Sequence, residues 1–304
     1  MRLLVSTLLL IALAETDPVP FSTTTNFVEY YPGDPDSNVV LTSPHDGHVR
    51  HEDVPDRIRG CYNETDGTCD WRHDCEGQRV SRKCSVVTWA DRDSSVLALK
   101  MRQAIGRVLG VMPHLIVSRM HRSKLDPNRD RENAAQFNPV AELTYDTFHD
   151  KIQEVHDQFE RPAIHFDIHG YTSHNTDNWL ELGYNIRGSD LNKGLLDPEV
   201  SSLKALAARS DKPFPSIIAG DDSLGKLVMD EGYRVVPSPQ YPRPDTGIEG
   251  RYFRGGYITR KWGSLYGGDV DCVQLEVPQW VRDESDVHGE RLGRAFAQWV
   301  KDHY

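Results

Sequence analysis

Residues 162–170, PAIHFDIHG, read as a strand that ends in chemistry. Phe166 and Ile168 alternate with Asp167 and His169, and Gly170 closes the run. Residues two apart on an extended chain share a face, so Asp167 stands on the same side as His169. A neutral imidazole at a strand end can give one ring nitrogen to a metal ion while a carboxylate holds the other. Taken alone, a hydrogen-bonded structural histidine is the simpler account.

The surrounding chain decides which fold receives this strand. SNVVLTSP (37–44) is a short apolar strand stopped by a proline, PHLIVSR (113–119) is another, and DCVQLEV (271–277) is a late one. Between them, residues 91–110 open with capping Asp and Ser. They place Leu97, Met101, Ile105 and Val108 at helical spacing and end at Gly110. Helices are also expected over 145–160 and around 199–210. A final one carries Leu292, Ala295, Phe296, Trp299 and Val300 on one face. Such alternation predicts an α/β fold with a mixed, mostly parallel central sheet flanked by helices on both faces. Ligands of such sheets bind beyond the carboxyl ends of the strands. There the sequence puts His45, Arg119, Arg122 and His169, with Glu276 inside the late strand.

The chain has 304 residues and a formal net charge of −11, which argues against a nucleic-acid partner. MRLLVSTLLLIALAETD has a basic start, a short apolar run and Ala12-x-Ala14, the pattern of a secretory signal peptide at 1–14. The run is short of the roughly 20 residues that span a bilayer, so no membrane partner is expected after its removal. Residues 15–304, read as secreted, suit one large α/β domain or two small ones, with a Cys-rich segment at 61–84. Cys61, Cys69, Cys75 and Cys84 crowd that segment and are read as two disulfides of open pairing. Asn63 within it is an N-glycosylation acceptor, and Cys272 is read as a buried, inert thiol.

Three further stretches carry chemistry. SPHDGHVRHED (43–53) crowds His45, His48 and His51 with Asp46, Glu52 and Asp53, either a metal-binding loop or a solvated turn. SRMHRSKLDPNRD (118–130) gathers Arg119, Arg122 and Arg129 in an acidic protein, and an Arg fork suits a carboxylate. Its Asp126-Pro127-Asn128-Arg129 string is turn-forming and would fix the Asn and Arg side chains. Glu276 has apolar sequence neighbours Val273, Leu275, Val277 and Trp280, a setting that suits a general base beside a metal-bound water.

Together these stretches resemble the N-formylglutamate amidohydrolase family, itself grouped with zinc-dependent exopeptidases. The resemblance runs from about Val39 to Trp280 through SPHDG, EDVPDR, DRDSSVLALK, HRSKLDPNR, FDIHG, LELGYNIRGSDL, SLGKL, VPSPQYPRP, YFRGGYITRKWGS and VQLEV. It implies a single catalytic domain over 15–304 in which 61–84 is an insertion. It also implies a zinc-exopeptidase, phosphorylase–hydrolase-like fold and one Zn²⁺ held by His45, His169 and a carboxylate. Glu52 is the preferred carboxylate and Asp91 the alternative. It further implies that Glu276 is the base and that Arg122, or else Arg119, meets the oxyanion. Asn128 and Arg129 would clamp a substrate carboxylate, with Tyr257 lining the pocket. The chain departs from the family at His45-Asp46-Gly47, where a second Gly is usual, and in the Cys-rich insertion. The implied activity is a zinc amidohydrolase acting on a small molecule with a free carboxylate. A carboxypeptidase-like peptidase and a catalytically silent secreted protein are the alternatives.

Overall fold

The computed structural model describes residues 19–20, 27–75, 79–172, 179–246 and 252–304; the expected leader at 1–14 lies outside them. An eight-stranded sheet organises these residues. Its strands are β1 (Val19–Pro20), β2 (Val28–Tyr31), β3 (Val39–Ser43), β6 (His114–Ser118), β7 (Ala163–Tyr171), β8 (Trp179–Gly183), β9 (Arg234–Val236) and β10 (Val270–Pro278). The spatial order is β1-β2-β6-β3-β7-β10-β8-β9. Pairings β3–β6, β3–β7, β7–β10 and β8–β9 are parallel, while β1–β2, β2–β6 and β8–β10 are antiparallel. A separate hairpin, β4 (Cys61–Tyr62) with β5 (Cys69–Asp70), lies in the insertion.

The two faces of the sheet are built differently. Leu41, Phe166, Ile168, Val273 and Leu275 point to one side. There they pack against Leu97, Met101 and Ile105 of the helix Ser94–Leu109 and against Leu292, Phe296 and Trp299 of the helix Ser285–His303. On the opposite side Val28, Val40 and Ile116 meet Phe148, Ile152 and Val155 of the helix Pro139–His156, with Ile258 and Trp262 of the helix Tyr257–Trp262. The alternation in β7 sends His165, Asp167 and His169 to this second side. All three are buried, and hydrogen bonds offset most of that cost: the Thr42 hydroxyl meets His165 Nε2 and Asp167 Oδ1, and Asp167 Oδ2 meets His169 Nε2.

The topology places a crevice where those residues end. β3 lies between β6 and β7, and the chain reaches these neighbours through helices on opposite faces. Such a reversal opens a cleft at the carboxyl ends of the flanking strands. The loop after β3 is fixed there by Asp46, whose carboxylate accepts the backbone N–H groups of Asp93 (2.8 Å) and Ser95 (3.0 Å). This corrects the expected capping of that helix: Asp93 makes no side-chain cap bond, and the cap comes from Asp46. Gly47 lets the loop pass, since a Cβ there would sit 2.2 Å from the Met120 carbonyl oxygen.

The insertion is stapled by Cys61–Cys75 and Cys69–Cys84, which fills in the pairing the sequence left open. Cys272 is free and buried, and burial raises its thiol well above the usual range. No helix among the described residues is long and apolar enough to cross a membrane.

Three buried imidazoles give the fold an acid limit. Burial pushes His149 and His156 down to about 3 and His114 down to about 4. His149 is held neutral on both sides: Trp262 Nε1 donates to its Nδ1 (3.0 Å), so its Nε2–H donates to the Pro127 carbonyl (3.0 Å). Unfolded imidazoles take up a proton near pH 6.5, so below that value the unfolded chain binds protons that the folded chain refuses. The contribution of these three is therefore full above about pH 6.5 and falls as the pH drops toward 4, by about 1.4 kcal/mol per pH unit for each histidine. Urea midpoints measured at several pH values between those limits should fall steadily; a flat profile would contradict neutral burial.

Candidate metal centre

Three side chains from distant parts of the chain converge at the crevice floor. His45 follows β3, His169 lies near the end of β7, and Asp91 precedes the helix Ser94–Leu109. The Asp91 N–H donates to the His45 carbonyl (3.0 Å), which brings the two residues together. His45 Nδ1 and His169 Nδ1 face each other at 3.0 Å, and each is 3.1 Å from Asp91 Oδ2. All three residues are buried and form a group able to hold a metal ion.

The triangle fits zinc in size and in kind. A tetrahedral ion with bonds of about 2.0–2.1 Å spaces its ligand atoms about 3.3 Å apart, close to the observed edges. The outer nitrogens are also held as ligand histidines require: His45 Nε2 by Asp126 Oδ1 (2.6 Å) and His169 Nε2 by Asp167 Oδ2 (2.7 Å). Asp167 is itself fixed by the Thr42 hydroxyl, which donates to Oδ1 (2.7 Å). Exchanging Asp167→Asn should therefore weaken metal binding by about ten- to a hundredfold, read with added Zn²⁺ by competition with a chromogenic chelator.

Charge in the floor is balanced by arginines. Arg122 donates to Asp126 Oδ2 through Nε and to Asp91 Oδ1 through Nη1, both at 3.1 Å, and Arg57 stands 3.7 Å from Asp126. Burial works to raise Asp91, but His45, Arg122 and the hydrogen bond from His169 outweigh it and hold the carboxyl well below its usual range. Asp126 is likewise held low, with Arg122 and His45 outweighing burial. Glu276 behaves oppositely. It lies on β10 at the register position facing His169, and burial, opposed by His169 and joined by Asp91 and Glu181, pushes it up to about 8. Gln274, on the same face of that strand, donates to Glu276 Oε1 (2.9 Å).

A cavity of about 650 Å³ opens over this floor. His45, Asp91, His169, Arg122 and Glu276 line it, as do Asn128 and Arg129. Arg129 is half-buried and donates to the Asn128 carbonyl (2.7 Å). Asn128 is buried: its Oδ1 accepts the Ile258 N–H (2.8 Å) and its Nδ2 lies 3.3 Å from His169 Nε2. It packs so closely on Gly256 that a Cβ there would meet Asn128 Nδ2 at 2.3 Å.

Three expected site residues stand elsewhere. Glu52 is exposed in a turn, outside the buried triangle, and the alternative Asp91 takes the position expected of it. Arg119 is tied to Glu29 (2.5 Å) and Ser95 (3.3 Å), outside the cavity lining. Tyr257 packs edge-on against His149, with ring centroids 5.8 Å apart, and does not line the cavity either. The stated setting of Glu276 also needs correction. Val273, Leu275 and Val277 belong to the opposite face, and Trp280 is part-exposed; Gln274 and the charged floor surround the carboxyl instead. Sequence reasoning missed Gln274, which the two-residue strand period marks, and the orienting role of Asp126. It also missed Trp89, Tyr171, Phe253 and Arg254 on the cavity walls.

No protein-family model matches the chain, and no curated protein matches it. Among solved structures it is similar to N-formylglutamate amidohydrolase from Ralstonia eutropha JMP134, at 13% identity over 87% of this chain and 94% of that one, with a TM-score of 0.44. It is similar also to a bacteriophage poly-gamma-glutamate hydrolase, at 10% identity over 92% and 93%, TM-score 0.37. A metallo-carboxypeptidase from Burkholderia cenocepacia gives 9% identity over 90% of this chain and 60% of that one, TM-score 0.38. These values assign no activity. The geometry of the site must carry the reading.

Proposed function

We propose that the chain is a secreted zinc-dependent amidohydrolase of the N-formylglutamate amidohydrolase type, cleaving an amide bond in a carboxylate-bearing substrate. One observation carries this reading: the His45–Asp91–His169 triangle lies in the floor of a cavity that Glu276 also lines. His45, Asp91 and His169 would hold the ion. When bound, zinc supplies Lewis acidity, polarising a carbonyl and lowering the pKa of a water.

The protein's own groups do the rest. Glu276, as carboxylate, accepts the proton of the attacking water and returns it to the leaving amine. Arg122 keeps Asp91 and Asp126 ionised and faces the cavity as the group that meets the oxyanion. Arg129 grips the substrate carboxylate, its guanidinium steadied by the Asn128 backbone carbonyl, while the Asn128 side chain, anchored by the Ile258 N–H, offers its amide to the same carboxylate from the cavity wall. Two disulfides and the acceptor Asn63 on the stapled hairpin support export and glycosylation of a single catalytic domain over 15–304. A cavity of this size also has room for a peptide carboxy terminus, which keeps a carboxypeptidase-like activity as the second reading.

Purified protein should carry one zinc per chain, lose hydrolysis with chelator and regain it with Zn²⁺. Rates on N-acyl amino acids against carboxy-terminal peptides separate the two readings. A protein that takes up no zinc on reconstitution would sink both.

A further inference from the structure

The segment between Cys84 and Asp91 is fastened at both ends and in the middle. Its amino end is closed by the Cys69–Cys84 disulfide, and the Cys84 carbonyl accepts the Gly60 N–H (3.0 Å). Its carboxyl end is Asp91, bound through its N–H to the His45 carbonyl. Between them the Val87 carbonyl accepts from Arg57 Nη1 (3.1 Å) and the Trp89 carbonyl from Arg122 Nη1 (3.4 Å), both from buried guanidinium groups. Yet the side chains of Trp89 and Val87 are 83% and 41% exposed, and both line the cavity. Their exposure comes from a fixed strap and not from a loose one. On the same cavity Tyr171 and Phe253 stack with centroids 6.1 Å apart.

A polar, charged floor under a rigid apolar mouth suits a ligand that is polar at one end and apolar at the other. The volume of about 650 Å³ falls inside the range of drug-sized ligands, far beyond what a one-carbon acyl group occupies. We propose that this strap is an acyl-group subsite: the substrate carries a large apolar acyl group that packs on Trp89 and Val87. This rests on the amidohydrolase reading above and adds the substrate class to it. The reaction balances as a hydrolysis, with the C–N bond broken, water supplying OH to the apolar acid and H to the amine.

Matched N-octanoylglutamate and N-acetylglutamate test it on the zinc-loaded protein. Each buried methylene is worth about fourfold, so covering between one and two of the extra ones gives the octanoyl compound a roughly tenfold higher kcat/KM. Trp89→Ala should reduce that ratio below about threefold, and Trp89→Phe should keep most of it. Equal rates in the unaltered protein, or a ratio that survives Trp89→Ala, overturn the subsite and leave the amidohydrolase reading standing. Hydrolysis of neither compound overturns the activity on these amides instead. Calorimetric affinities of the same two compounds then decide the subsite: a tenfold octanoyl preference lost in Trp89→Ala supports it, and equal affinities refute it.

Discussion

Glu276→Gln is expected to lower turnover by about 10²–10⁴-fold while zinc content stays at that of the unaltered protein. The two parts of this result follow from different features of the site. Glu276 is not one of the three converging ligand atoms, so its loss leaves the triangle of His45, Asp91 and His169 complete. It is the carboxylate on the neighbouring strand, in register with His169 and facing the cavity, and glutamine cannot accept and return a proton from that position. Glutamine keeps the size of the side chain and an oxygen able to accept from Gln274 Nε2, so packing should survive. Unchanged turnover with zinc in place would remove Glu276 from the mechanism.

The second large effect is loss of the metal from Asp91→Asn or Asp91→Ala, set against no change from Glu52→Ala. A first ligand should cost more than the ten- to hundredfold expected of an orienting partner such as Asp167. Both variants leave Arg122 with Asp126 alone, but the alanine variant carries a further cost of about 1–3 kcal/mol, because the buried Gly170 N–H loses the oxygen it donates to. The asparagine variant separates the two, since it removes the charged ligand while keeping the shape. Zinc content by atomic absorption and unfolding in urea read them independently. Loss of zinc from Glu52→Ala, with Asp91→Asn retaining it, would restore the choice made from the sequence.

Glu52 stands apart from the triangle for a physical reason. Spacing favours a carboxylate close to His45 in the chain, but after Gly47 the segment pairs with the residues that follow β6. Val49 bonds to the Arg119 carbonyl (3.0 Å), and His121 bonds back to Val49 (2.9 Å). This run carries Glu52 into solvent. Asp91 enters through a backbone bond spanning 46 residues and through the turn that begins the helix Ser94–Leu109, neither of which leaves a local pattern. The strands and long helices were legible because apolar periodicity is local: β3, β6, β7 and β10 fall within the expected runs, give or take a residue at the ends. The helix expected over 145–160 begins earlier, at Pro139, where the Asn138 side chain caps two backbone N–H groups. His169 was legible with Asp167 for the same reason. Arg119 and Arg122 looked alike in sequence, and only the direction of the chain after β6 turns one toward Glu29 and the other toward Asp91.

Trp89 and Asp91 are separated by a single residue on one tethered strap. Ligand choice and metal retention are therefore inherited as a unit. A chimera that exchanges residues 61–84 alone would leave both in place, whereas one that extends past residue 90 would replace the cavity wall and would have to rebuild the centre as well.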